Sequence, residues 1–175
     1  MSRLLIVVDY QIDFVSGSLG NPYSLEIEVV IAEKLRHAHA VGDDVIFTLD
    51  THNENYLQTQ EGRKLPVEHC IRGTKGHALY GKVALEQKGS DLIFEKSTFP
   101  SGDLYMYLKD KAYDTIEIVG VVTDICVISN AVIVKAALPE AEIIIDAKAV
   151  ASNDKQKQEE ALDIMESLQI KVLNR

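Results

Sequence analysis

Short apolar runs alternate with amphipathic segments along this chain, and most of the runs stop at a charged residue. LLIVV at residues 4–8 stops at Asp9, DVIFTL at 44–49 stops at Asp50, residues 91–95 stop at Lys96, and residues 142–145 stop at Asp146. A fourth run in chain order, 115–119, leads through Gly120 towards Cys126, and a short last run covers 170–173. Nearly continuous apolar runs of this length suit strands buried on both faces. Between them, residues 24–40 place Ile27, Val30, Ile31, Leu35 and Ala38 on one helical stripe, with Gly42 as a stop. Further helices are expected at 77–87, at 103–111, beyond Cys126, and at 154–168 with Ala161, Leu162, Met165 and Leu168 facing inward. Strands alternating with helices predict an α/β fold: one domain over residues 1–175, a doubly wound, Rossmann-like, mostly parallel six-stranded sheet with helices on both faces.

Composition narrows the function. The chain has 175 residues and a formal net charge of −9, which argues against nucleic acid as a partner. The apolar run at 4–8 is too short for an export signal or a membrane span, and the mean hydropathy of −0.01 is that of a soluble globule, so a cytoplasmic protein with no membrane partner is expected. In that setting Cys70 and Cys126 are expected to be reduced thiols.

The stretch TIEIVGVVTDICVISNA, 115–131, begins as a strand and ends as a helix. Thr123 or Asp124 can cap that helix, which puts Cys126 in its first turn, where the helix dipole and spare N–H groups favour a thiolate. In doubly wound sheets ligands bind beyond the carboxyl ends of the strands. Asp9, Asp50, His52, Lys96 and Cys126 all fall at that edge. A cysteine nucleophile needs a base and a positive neighbour, and Asp9 and Lys96 supply both. The competing reading is an Asp9–Lys96 ion pair beside an inert cysteine.

The polar loop expected at 51–76 carries a second cluster. Asp50 and His52 are two apart on extended chain, so their side chains point the same way, and His69 returns after the loop. Two imidazoles with one or two carboxylates suit Zn, Fe or Mn. Glu54, Glu61 and Glu68 are candidates for the extra carboxylate.

LLIVVDYQIDF at 4–14, DTH at 50–52, PVEHC at 66–70, FEK at 94–96 and GVVTDIC at 120–126 resemble, in order, the nicotinamidase and isochorismatase-like cysteine hydrolase family. The resemblance implies a catalytic triad of Asp9, Lys96 and Cys126. It implies a cis peptide at Val121–Val122, turning the Val122 N–H with that of Cys126 towards an oxyanion. It implies a divalent metal on Asp50, His52 and His69, with Glu61 as a further ligand. Phe14 and Phe99 match pocket aromatics, and Gln11 and Asp13 complete the first motif. The segment LPVEH at 65–69 lacks the aromatic that nicotinamidases commonly carry there. The implied activity is hydrolysis of a small amide through a cysteine thioester, with nicotinamide to nicotinate plus ammonia as the leading reaction and another small amide or ureido compound as the nearest rival. A non-catalytic binding or redox-sensing protein is the rival from a different class. The family also implies a homo-oligomer.

Overall fold

The computed structural model describes residues 2–175. Six parallel strands form one sheet: β1 (Arg3–Val8), β2 (Asp44–Asp50), β3 (Leu92–Lys96), β4 (Thr115–Val121), β5 (Glu142–Ala151) and β6 (Lys171–Leu173). Their spatial order is β3-β2-β1-β4-β5-β6. The order reverses between β1 and β4, which opens a crevice beyond the carboxyl ends of those two strands. The helices are α1 (Ile12–Val15), α2 (Pro22–Glu26), α3 (Glu28–Val41), α4 (Gln60–Lys64), α5 (Gly81–Glu86), α6 (Gly102–Leu108), α7 (Ile128–Ala137) and α8 (Lys155–Ser167).

The period-2 geometry of a strand divides each apolar run between two cores. From β1, Leu4, Ile6 and Val8 pack with Leu104 and Leu108 of α6, Ala131 and Val134 of α7, and Leu162 and Met165 of α8. Leu5 and Val7 point to the other face and pack with Ile31, Leu35 and Ala38 of α3 and Val83 of α5. Both faces of the sheet are covered, as the continuous runs predict. Gly120 on β4 is the register partner of Val8. Its φ is +117°, and a Cβ there would lie 2.1 Å from the Val8 carbonyl oxygen, so only glycine fits.

Some expected boundaries move. The helix expected at 24–40 is two helices, broken at Ile27; Asn21 caps the first, accepting the Ser24 N–H, and Pro22 occupies its first turn. The strand expected to stop at Asp146 runs on to Ala151. Its pairing with β4 shifts register, so that Ile118 pairs with Ile145 but Gly120 with Val150. The irregularity hides the strand in the sequence, because it interrupts the apolar run with Asp146 and Lys148. Asp146 is therefore not at the ligand edge: it pairs with Lys34 of α3 at 2.7 Å, and Lys34 also meets Glu117 at 2.7 Å. The loop expected at 51–76 contains a 3₁₀ turn at Tyr56–Gln58 and α4, whose N-terminus is capped by the Thr59 hydroxyl. Among the described residues, no helix is long and apolar enough to cross a membrane.

Candidate active site and metal centre

Asp9 leaves β1 with φ at +49°, a left-handed conformation that an L residue other than glycine adopts rarely, mostly as Asn or Asp. Its N–H donates to the Thr48 carbonyl at 3.1 Å, and the Thr48 hydroxyl donates to Asp9 Oδ1 at 2.7 Å. The other oxygen, Oδ2, lies 2.5 Å from Lys96 Nζ. Lys96 ends β3, and its ammonium also reaches the Thr98 carbonyl at 3.1 Å, Asp50 Oδ1 at 3.6 Å and Cys126 Sγ at 3.6 Å. All of these side chains are buried.

Cys126 sits in a wide, π-type turn, Thr123–Val127, that joins β4 to α7. Such turns recur at functional sites. The Val122 carbonyl accepts both the Ile125 and the Val127 N–H. Neither Thr123 nor Asp124 caps the turn, contrary to the expectation: Asp124 instead accepts the Ser152 hydroxyl. The Val121–Val122 peptide is cis, as the family resemblance implied.

The electrostatics correct a second expectation. Burial and the Asp9 carboxylate push the Cys126 thiol well up, and the Lys96 ammonium offsets this only in part. The resting sulfur is therefore a thiol, not the thiolate that the helix terminus suggested; desolvation outweighs the dipole. Burial also raises Asp9, against the opposing pull of Lys96. Burial alone would lower Lys96, but the carboxylates of Asp9 and Asp50 outweigh it and keep the ammonium charged. The site thus places the Lys96 ammonium against Asp9, beside a thiol that burial holds protonated.

Asp50, His52 and His69 converge as expected, with one ligand atom of each within 4.8 Å of the others. Asp50 Oδ2 is 2.9 Å from His52 Nε2 and 3.2 Å from His69 Nε2. Glu61, on α4, places Oε1 3.8 Å and 3.7 Å from the same two nitrogens. The Val67 carbonyl accepts from His69 Nδ1 at 2.8 Å, which orients the ring so that Nε2 faces the cluster. Although burial favours the acid form of Asp50, contacts with His52, His69 and Lys96 hold its carboxyl well below the usual range. Two imidazoles, a deprotonated carboxylate and a half-open second carboxylate fit a divalent transition metal such as Zn, Fe or Mn. Glu54 and Glu68 are not part of this group.

A cavity of about 210 Å³ lies between the two clusters. Phe14, Leu19, Leu65, Phe99 and Ile125 give it apolar walls, and Cys126, Asp50, Glu61, His69 and Asn153 supply its polar edge. Phe14 and Phe99 were expected there. Leu65 and Leu19 were not: Leu65 lies in the LPVEH segment that has no aromatic, and it lines the cavity itself. Val122 lines the cavity beside Cys126.

Two residues of the first motif brace the site. The Gln11 carboxamide accepts the Asp50 N–H and donates to the carbonyls of Asp50 and His77. Asp13 accepts the N–H of Cys70, the residue after His69, at 2.8 Å. Thr48 and Asn130 escaped the sequence reading. Thr48 sits inside an apolar strand, and the one available signal was its parity with Asp50. Asn130 had a better signal, since it lies four residues beyond Cys126 and so on the same helical face.

A family model described as the isochorismatase domain matches residues 3–175. The chain belongs to the isochorismatase family. An uncharacterised isochorismatase family protein, PncA of Bacillus subtilis strain 168, is 33% identical over 164 residues, covering 87% of each chain. The family fold extends over the whole length: a crystal structure of nicotinamidase/pyrazinamidase PncA from Bacillus subtilis superposes with a TM-score of 0.86 at 29% identity, covering 99% of this chain and 100% of that one. A pyrazinamidase of Pyrococcus horikoshii, in complex with zinc, matches at a TM-score of 0.85 and 27% identity over 100% of both chains.

Proposed function

We propose that this isochorismatase-family chain is a cysteine amidohydrolase that cleaves a small aromatic amide, with nicotinamide to nicotinate plus ammonia as the leading reaction. The observation that carries the reading is the contact of Lys96 Nζ with both Asp9 Oδ2 (2.5 Å) and Cys126 Sγ (3.6 Å) at the edge of a mostly apolar cavity. An ion pair alone would need neither a thiol nor a cavity. The similarity to nicotinamidase and pyrazinamidase structures supports the same reading.

The resting charges set the order of proton transfers. Asp9 takes the proton from the Cys126 thiol as sulfur attacks the amide carbonyl carbon, so the thiolate exists only when it is needed. The N–H groups of Val122 and Cys126 hold the resulting oxyanion. Asp9 then gives its proton to the amide nitrogen, the C–N bond breaks, and ammonia leaves behind a thioester. Asp9 next takes a proton from water, whose oxygen attacks the thioester carbon. The C–S bond breaks, the acid is released and the thiol is restored. Lys96 stays charged throughout and offsets the negative charge that passes between Asp9 and sulfur. The apolar walls seat the acyl group.

Asp50, His52, His69 and Glu61 would hold the divalent ion, zinc being the ion in the Pyrococcus horikoshii relative. When bound, it supplies an electrophilic anchor for a ring nitrogen. Residence in the cytoplasm and assembly into a homo-oligomer belong to the same proposal.

Ammonia release from a panel of amides tests it. Nicotinamide and pyrazinamide should release ammonia, and Cys126→Ala should abolish the release. Release that persists in Cys126→Ala, or none from any amide, would overturn it. The rival reading, a redox-sensing thiol, needs no matched base such as Asp9 beside the sulfur.

A further inference from the structure

Asn130 is fully buried on α7, and its amide orientation is dictated by its partners. The Ser101 N–H can only donate, so Oδ1 is the atom that accepts it, at 3.0 Å. The amide nitrogen must then face acceptors, and it does: the Cys126 carbonyl at 2.8 Å and the Phe99 carbonyl at 3.1 Å. These partners belong to two separate segments. One is the turn that carries the sulfur. The other is the loop between β3 and α6, which receives the Lys96 ammonium on Thr98 and carries Phe99 into the cavity wall.

The grip on that loop is specific. Phe99 O and Ser101 N flank Pro100, whose ring fixes its own φ, so Asn130 holds both sides of a stiff three-residue unit. Phe99 itself is 42% exposed. Loss of the amide would take these partners from the buried Ser101 N–H and Cys126 carbonyl and from the half-buried Phe99 carbonyl, and would free the loop to shift.

We propose that Asn130 is a positioning residue that fixes the distance between the Phe99 wall and the Cys126 sulfur, and so sets which acyl groups the cavity accepts. It favours ring-bearing groups that can pack against Phe99 while their carbonyl reaches the sulfur. The proposal rests on the reading of the cavity as the acyl site, but its test does not depend on turnover. Cys126 is alkylated with iodoacetamide and, separately, with an N-benzyl iodoacetamide, and the rate at Cys126 is followed by mass spectrometry of the intact protein and its peptides.

In Asn130→Ala the ratio of the ring-bearing rate to the small-reagent rate should fall about tenfold, the scale of one or two lost buried hydrogen bonds. Phe99→Leu should lower the ratio too, and the double variant should fall no further than the larger single effect, because both act on one wall. Should Asn130→Ala fail to fold, Asn130→Asp serves, since it keeps the acceptor for Ser101 and loses both donor bonds; the same fall in ratio is expected. A ratio unchanged in the folded variant, or effects of Asn130 and Phe99 that add, would overturn the proposal. A merely structural role would lower both rates together. An absence of ammonia release from amides would remove the amidase reading and leave this result standing.

Discussion

Asp50 and Lys96 are register partners on the last rung between β2 and β3, and their side chains meet at 3.6 Å. That contact joins the two halves of the site. One carboxylate, Asp50, serves the histidine cluster, the other, Asp9, serves the sulfur, and a single ammonium lies between them. Parallel pairing produces this arrangement, because it brings neighbouring strand ends out at the same edge.

Removal of that ammonium should therefore be as damaging as removal of either catalytic partner. Lys96→Met leaves Asp9 and Asp50 buried with no cation between them, and kcat/KM should fall by about a thousandfold or more. Asp9→Asn and Cys126→Ala should do the same. Since the groups act as a unit, double variants should be barely worse than singles. Steady-state ammonia release measures this, and full additivity would contradict the shared mechanism.

Activity should rise with pH through the ionisation of Asp9. Asp9 must be a carboxylate to take the thiol proton, and burial raises it above the ordinary aspartate value. The acid limb of kcat/KM should therefore lie above the ordinary aspartate pKa of about 3.9. The Thr48 hydroxyl bond stabilises the carboxylate, so Thr48→Val should move that limb further towards neutral pH. A limb that stays put in Thr48→Val would exclude Asp9 as the titrating group.

Alkylation of Cys126 should quicken as pH rises, since the resting sulfur is a thiol. Cys126 opens to the cavity, whereas Cys70 is wholly enclosed and is also held up as a thiol by burial. Iodoacetamide should label Cys126 first, and peptide mapping reads the order. Equal labelling of Cys70 would contradict the assignment of the nucleophile.

Metal and sulfur should separate experimentally. His52→Ala or His69→Ala should lose the divalent ion and weaken binding of ring-nitrogen amides, while Cys126 keeps its alkylation. Glu61→Ala should have a smaller effect, because Glu61 stands farther off and is the most open of the group. Elemental analysis together with labelling provides the check. Metal retained by both histidine variants would remove the cluster from this role.

Gly120→Ala should destabilise the fold by about 3 kcal/mol or more, since it combines a φ of +117° with a 2.1 Å clash on backbone. Urea unfolding would show it. A change under about 0.5 kcal/mol, the size of an ordinary surface substitution, would mean that β1 and β4 can separate locally.

The sequence by itself determined the strands with unbroken apolar runs, the alternation with helices, and the residues at the strand ends. Local chemistry suffices there: an apolar run long enough for a strand, then a charge where the chain surfaces. It also carried the family motifs, and with them Asp9, Lys96, Cys126 and the Asp50, His52 and His69 cluster. Tertiary structure alone decided the rest. The second half of β5 exists because β4 supplies its pairing partner across a break in register, which no periodicity reports. The protonated state of Cys126 follows from burial and from Asp9, more than a hundred residues away in sequence, and not from the turn it stands on. Thr48, Leu19, Leu65 and Asn130 gained their places in the site only when the sheet and its loops closed, because what each of them touches there comes from elsewhere in the chain.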